Sequence, residues 1–538
     1  MRIQTSHTVP DVSRYSEQVL EIIREMQSKP ARDGEQLGTI LRRHVHDSGQ
    51  IFSKNLLVRT YRHLCERGQL QPDAEILRRL RMKPTRTISG VAPVTVLTKP
   101  YPCPGKCIFC PTDARMPKSY LPDEPGAMRA EQHAFDPFEQ TAARMQTLSD
   151  NGHSVDKVEL LILGGTWSSY PRDYQRWFVK RCFDAMNGQP GASLAQAQRL
   201  NERAIHRNVG LVIETRPDHI TPLEIRHLRA LGVTKVQLGA QSLQDNVLEL
   251  NLRGHSSADT RRALRLLRAA GFKVVLHWMP NLLGATPESD RQDYARLWSD
   301  PALRPDEIKI YPCSLLADTE LHRRWQRGEY HPYSDETLVE LVAECKLQTP
   351  SYCRINRVYR DIPAPNIVAG STLSNLRQVV QQRLLENGQH CRCMRCREVR
   401  GSGVPRGEKL QMCEHAYNTT ASQERLLTLN TCADRLAGYA RLSLPSTIVQ
   451  LGIDEIRDSA LLRELHVYGQ ALEIGIDGAG SKVAQHLGLG TRLLERAERI
   501  AAGVGFGNMA VIASVGTREY YRSRGYGRTG NYMVKAIA

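Results

Sequence analysis

Apolar side chains near the start of the chain recur at helical spacing. Val19, Ile22, Ile23 and Met26 fall at i, i+3, i+4 and i+7, one face of a helix. This spacing predicts a helical region over residues 1–88. From Gly90 the pattern changes to strands. Apolar or β-branched runs occur at Val91–Thr98, Val158–Leu163, Gly210–Glu214, Thr234–Gly239, Lys273–Met279 and Glu307–Tyr311. Helical patterns lie between the later ones, such as Ile225, Leu228 and Leu231, and the run TRRALRLLRAA from Thr260. Strands alternating with helices predict an α/β fold with a parallel sheet and right-handed crossovers. Six such units predict a partial (β/α)6 barrel over residues 89–385, with chemistry at the C-terminal strand ends. After a linker at 386–415 the pattern changes again. Leu436–Leu444 alternates as a strand, as does Glu464–Gly469; a long helix, LLERAERIAAG, follows, and NYMVKAIA reads as a final strand. Residues 416–538 therefore read as a second α/β domain.

The predicted strand ends carry the candidate chemistry. YPCPGKCIFCP follows the first strand and holds Cys103, Cys107 and Cys110 at C-x3-C-x2-C spacing. Three thiolates so placed can hold three irons of a [4Fe–4S] cluster and leave the fourth iron open for S-adenosylmethionine. A zinc knuckle is the competing reading, but it wants a fourth ligand, and the nearest downstream histidine is His133. Gly164, Gly165 and Thr166 follow the second strand, where a backbone without Cβ atoms can approach a ligand. Glu214 ends the third strand, Gln241 the fourth, and His277 and Met279 lie at the fifth. These residues are candidates for holding S-adenosylmethionine.

Two further motifs lie downstream. CRCMRC places Cys391, Cys393 and Cys396 within six residues, which reads as a structural zinc site, with a second cluster as the alternative. The fourth zinc ligand is either Cys413 or His415. Gln485, Gly488, Gly490 and Thr491 form a glycine-containing loop at the start of the long helix. Free N–H groups at such a helix start favour an anion, as in the Gln-x-x-Gly-x-Gly loop that GNAT-fold acyltransferases use for acetyl-CoA. REYYRSRGY then supplies Tyr520 and Tyr521.

Composition narrows the partners. The formal net charge is +16, which suits a polyanion such as RNA. Up to Gly90 there are 16 Lys or Arg against 10 Asp or Glu, with a dense run at Arg78, Arg79, Arg81, Lys83 and Arg86. A second basic run holds Arg354, Arg357 and Arg360. Both are candidate surfaces for a nucleic-acid backbone, which the resemblance described below makes that of a tRNA. Thirteen clustered cysteines suggest metal ligands in a reducing cytoplasm rather than a disulfide frame. No apolar run approaches a membrane span and the first residues lack a secretory apolar region.

Over roughly residues 75–538 the chain resembles the Elongator protein 3 family, the catalytic subunit of Elongator, in its prokaryotic form. KPTRTISGVA, CPGKCIFCP, PKSYLPDEPGAMRA, GHSVDKVELLILGGT, WFVKRCFDAMNG, IETRPD, RELHVYG, QHLGLG and GTREYYRSRGY carry the resemblance in order. It implies a radical S-adenosylmethionine enzyme that carboxymethylates C5 of the tRNA wobble uridine, with acetyl-CoA as donor and the anticodon stem-loop as substrate. It also implies that Lys157, the backbone of Glu464, Leu465, His466 and Val467, and Leu489, Gly490, Thr491 and Tyr521 contact acetyl-CoA. Lys157, Tyr520 and Tyr521 become candidate catalytic residues. The segment NTTASQERLLTLNTC departs from the family pattern, which bears on zinc ligation. Two other classes remain for comparison: a protein lysine acetyltransferase with a structural cluster, and an RNA-binding scaffold with degenerate sites.

Overall fold

The computed structural model describes residues 12–28, 34–45, 49–399, 403–404, 407–469 and 488–537. Gln485 lies outside them. The chain forms two compact units, Met1–Ile88 with Ala143–Val155, and Ser89–Ala142 with Asp156–Ala538.

The first unit is helical, built on Ser16–Ser28, Gly34–Arg43, Lys54–Glu66 and Ala74–Leu80. Val19, Ile22, Ile23 and Met26 are fully buried against Leu57, Val58 and Tyr61. The unit also takes in the hairpin around Gly152, where Arg81 donates to the Gly152 carbonyl at 3.0 Å and Arg62 to the Ser149 carbonyl at 2.9 Å.

The second unit contains two large sheets. In the first, β1 (Ala92–Leu97), β2 (Lys157–Leu163), β3 (Arg207–Thr215), β4 (Lys235–Gln241), β5 (Lys273–Trp278) and β6 (Glu307–Ile310) pair in parallel in that order. β7 (Leu315–Leu316) and β9 (Ile367–Ala369) form a separate two-stranded antiparallel sheet. Between them β8 (Arg354–Arg357) adds a seventh parallel strand beside β6. The stretch read as a basic RNA-binding surface is thus partly sheet. Helices cover the outer face, so Val158, Leu160 and Ile162 are buried while their neighbours on β2 remain partly exposed.

The second sheet has the order β10 (Gln411–Asn418), β11 (Ser422–Asn430), β12 (Leu436–Pro445), β13 (Ser459–Val467), β14 (Asn508–Val511), β16 (Tyr532–Ala536) and β15 (Gly527–Thr529). The NTTASQERLLTLNTC segment supplies β11. The helix Leu489–Gly503 packs on β11, β12 and β13 through Leu493, Leu494 and Ala497. β13 and β14 run parallel but pair only from Ser459 to Leu462. Beyond Leu462 the two strands part, and Glu464–Val467 pairs with β12 on the other side.

Buried ions join the sheets. Arg463 and Asp306 are both fully buried and paired. Arg463 Nη1 also donates to Glu424 Oε2 at 2.8 Å, and Nη2 to the Phe272 carbonyl at 3.0 Å. Arg441 donates to the Asp306 carbonyl at 3.2 Å and to Glu464 Oε2 at 3.0 Å. Burial alone would lower the pKa of Arg463, but Asp306 and Glu424 outweigh it and keep the guanidinium charged. Removing one member strands the others, which costs about 3–5 kcal/mol. Arg463→Met should therefore lower the urea midpoint of the second unit strongly; an unchanged midpoint would show that the pair does not secure the joint.

Candidate active site

The cluster loop leaves β1 and passes over the C-terminal strand ends. Cys103 Sγ lies 3.4 Å from Thr166 Oγ1. Arg253 Nη1 donates to Cys107 Sγ at 3.0 Å while its Nη2 donates to the Gly239 carbonyl at 2.6 Å. Arg253 was not visible as a site residue in the sequence, because nothing in NLRGH marks it. Burial pushes the Cys110 thiol up to about 11, so a metal must displace its proton. Three partly exposed thiols on one loop over the strand ends, one of them accepting from Arg253, suit an iron–sulfur group, whose charge a guanidinium balances.

The neighbouring residues form a polar rim. Gly164 has φ +132°, and a Cβ there would lie 2.0 Å from Thr98 Oγ1, so only glycine fits. Gly165 has φ +94° beside the Lys118 carbonyl. Gln241 ends β4 with φ +67°, and its Oε1 is buried without a hydrogen-bond partner. His277 Nε2 is 2.9 Å from Gln237 Oε1, and its Nδ1 is 3.8 Å from Glu214. Burial, then Lys309 and Arg360, hold His277 neutral. Burial raises the Glu214 pKa, partly offset by Lys309 and Arg360.

Arg360 belongs to this rim. It donates to Ser119 Oγ at 3.0 Å and to Glu124 at 3.0 Å, and lies over the Tyr120 ring at 5.5 Å. Arg354 pairs with Glu398 at 2.8 Å, and Arg357 with Asp361. Arg354 and Arg360 are thus held by partners within the protein, whereas Arg357 is exposed beside Asp361. In the helical unit Arg78 pairs with Glu75, Arg79 with the Met26 carbonyl and Arg81 with Gly152. Lys83 and Arg86 are exposed.

A cavity of about 510 Å³ lies at the opposite, N-terminal ends of the barrel strands. Lys157, Glu159, Lys235 and Lys273 line it on one side, and Glu464–Val467, Gly488, Gly490 and Thr491 on the other. Among the described residues β14 pairs with β13 only as far as Leu462, and Glu464–Val467 line the cavity beyond that point. Gly488 caps the helix at φ +69°, and a Cβ on Gly490 would meet Tyr520 Oη at 2.7 Å. Leu489 packs into the core below. The Arg524 guanidinium lies 3.6 Å over the Tyr520 ring. Tyr521 is 6 % exposed and packs mainly in the core, so Tyr520 is the more open of the pair. Burial lowers the pKa of Lys157 and takes His466 down to about 4.

In the linker, the Cys391, Cys393 and Cys396 sulfurs lie within 4.8 Å of one another, as ligands of one ion would. Cys413 is not in this group. It lies on β10, paired in register with Thr428 of β11, and His415 packs against Tyr352 at 5.6 Å. The group of sulfurs within 4.8 Å includes neither.

The sequence matches the Radical SAM superfamily over residues 101–297 and the Radical_SAM C-terminal domain over 305–386. It is 44% identical to a tRNA uridine(34) acetyltransferase of Dehalococcoides mccartyi, across 85% of this chain and 99% of that protein. The chain belongs to the tRNA uridine(34) acetyltransferase and Elongator complex protein 3 family. Human Elongator complex protein 3 is 36% identical, across 86% of this chain and 87% of that one. The archaeal Elp3 of Methanocaldococcus infernus, lacking residues 1–46, superposes with a TM-score of 0.73 at 38% identity, covering 84% and 100% of the two chains. A radical SAM domain takes S-adenosylmethionine and a [4Fe–4S] cluster, and the family carries both. Among the described residues, no helix is long and apolar enough to cross a membrane.

Cys107→Ala removes one iron ligand and the acceptor of the Arg253 bond without touching the buried barrel strands. Reconstituted protein should lose 5′-deoxyadenosine formation while its far-ultraviolet circular dichroism stays unchanged. Retained cleavage of S-adenosylmethionine would remove Cys107 from the iron ligands.

Proposed function

We propose that the protein carboxymethylates C5 of the tRNA wobble uridine, with acetyl-CoA as the carbon donor. One observation supports this over protein lysine acetylation. The side of the cavity where an amine acceptor would approach the acyl group is formed by the barrel strand ends, with Lys157, Lys235 and Lys273. Those strands run from this cavity to the end of the barrel that carries Cys103, Cys107 and Cys110, which links an acyl donor here to radical chemistry rather than to a protein amine. The names of the relatives point the same way, since they are tRNA uridine(34) acetyltransferases.

The chain's residues divide the work. Gly490 and the helix start offer N–H groups to the pyrophosphate, and the Glu464–Val467 backbone along the cavity takes the amide-rich arm. Lys157 adds positive charge at the cavity wall. At the other strand ends Cys103, Cys107 and Cys110 hold the cluster, and Gly164, Gly165, Thr166, Glu214 and Gln241 surround the S-adenosylmethionine site. When bound, cluster and S-adenosylmethionine supply a 5′-deoxyadenosyl radical that takes hydrogen from the acetyl methyl group. His277 and Gln237 keep the space below the radical site polar and uncharged. Cys391, Cys393 and Cys396 hold a zinc ion that braces the linker. Lys83, Arg86 and the neighbouring Arg78 contact the tRNA backbone, and an anticodon loop presents its base at little unstacking cost.

Gly490→Glu places a carboxylate where the pyrophosphate lies and a side chain against Tyr520. It should abolish carboxymethyluridine, read by nucleoside mass spectrometry, while 5′-deoxyadenosine formation without acetyl-CoA persists. Normal product from this variant would move the donor site elsewhere, and acetylated lysine formed without reductant would favour the acetyltransferase reading. For the RNA surface, the Lys83→Glu, Arg86→Glu double variant should weaken all tRNAs alike. It should also lower the slope of log affinity against log salt by about 1.5 to 2. An unchanged slope would place the phosphate contacts elsewhere.

A further inference from the structure

Strand β2 touches both sites. Lys157, its first residue, lines the acetyl-CoA cavity. Thr166, three residues past its end, meets Cys103 at 3.4 Å. Seven strand residues at about 3.3 Å each separate the cavity from the cluster by roughly 20 Å. The acetyl group and the radical cannot react across that gap, so the acyl end must travel.

The inner face of the strand marks a route. Lys157, Glu159, Leu161 and Leu163 are all partly exposed, whereas the alternate residues Val158, Leu160 and Ile162 are buried under the helices. The neighbouring strand repeats this, with Pro93 and Thr95 partly exposed between buried Ala92, Val94 and Val96. Leu97, the last inner residue of β1, is closed at 1 % exposure, so the partly exposed path runs the whole length of the face on β2. Across the barrel, Gln237 and Val275 are closed at 2 % and 1 % exposure. The lower part of the face is charged, with Glu159 paired to Lys235 at 2.8 Å, and the middle is apolar at Leu161. A chain of amides ending in a small thioester matches that change in polarity.

We propose that the inner face of β1 and β2 is a binding groove for the acyl-pantetheine arm, carrying the acetyl group through the barrel from the N-terminal cavity to the cluster. The proposal rests on the carboxymethylation reading for its purpose, but the groove can be tested by binding alone. Leu161 is mid-strand, in neither site, and lies on the path.

The first experiment uses Leu161→Cys in the full-length, cluster-loaded protein, with alkylation of the introduced thiol followed by peptide mass spectrometry. Acetyl-CoA should protect it, whereas adenosine 3′,5′-bisphosphate, which fills the nucleotide site but has no arm, should not. Equal labelling with and without acetyl-CoA overturns the groove. Protection by both ligands overturns it too, since closure of the nucleotide site would then explain the effect. The second experiment compares Leu161→Trp with Leu161→Ala. The Trp variant should lose carboxymethyluridine by about a hundredfold and keep S-adenosylmethionine cleavage and nucleotide affinity; the Ala variant should keep all three. Normal product from Leu161→Trp overturns the groove. If wild-type protein makes no carboxymethyluridine yet acetyl-CoA protects the introduced thiol, the groove stands and the proposed reaction falls.

Discussion

The side chain of Asp306, one residue before β6, is completely buried. It receives the Arg463 guanidinium and the Val274 N–H, and its carbonyl receives Arg441. Those partners come from different sheets, so one carboxylate ties the parallel barrel to β12 and β13. Burying such charges is expensive unless every partner is present, and here Glu424 and Glu464 complete the set. The same residues shape the donor cavity. Glu464 closes the Arg441 pair, accepts from Tyr439 at 2.7 Å and is paired to Lys273. Burial disfavours its ionisation, but Lys273 and Arg441 prevail and hold it well below the usual carboxylate range. The joint and the cavity wall are one ionic structure, which fixes the donor site relative to the barrel axis.

That arrangement reverses the usual geography of a barrel enzyme. The cluster loop lies at the C-terminal strand ends, where the barrel rule places chemistry, but the large cavity, the proposed donor site, lies against the N-terminal ends. The strands become the distance between two sites rather than the wall of one. Parallel strands covered by helices must be apolar on their outer side. Their inner side is free to carry Glu159, Lys235, Gln237, His277 and Glu214 from one end to the other. Departure of β14 from β13 after Leu462 opens the second sheet toward the same axis.

Periodicity made the six main barrel strands legible to within three residues at either end, because buried parallel strands leave strong apolar runs. Leu436–Leu444 and the helix after Gly488 were equally clear. The cluster loop, Gly164 and Gly490 were readable because spacing and close approach restrict the residue types. What escaped depended on partners far along the chain. RINR looked like a basic surface, yet Arg354 is neutralised by Glu398 and Asn356 donates to Glu307. The partners of Arg360, Ser119 and Glu124, lie more than 230 residues away and leave no mark in the local sequence. Cys413 is close in sequence to the linker thiols, but its sulfur is not gathered within 4.8 Å of theirs. Arg253 left no signal, since a single arginine after a short helix has no pattern until the fold brings Cys107 to it.

The central claim is that the radical formed at one end of the barrel acts on an acetyl group delivered from the other. The most direct measurement is mass spectrometry of both products after turnover with acetyl-CoA deuterated on the acetyl methyl group, in the presence of tRNA and reductant. The account predicts deuterium in 5′-deoxyadenosine and retained methyl deuterium in the carboxymethyl group of the modified uridine. Unlabelled 5′-deoxyadenosine formed alongside carboxymethyluridine, or modified uridine without acetyl-derived label, would contradict it.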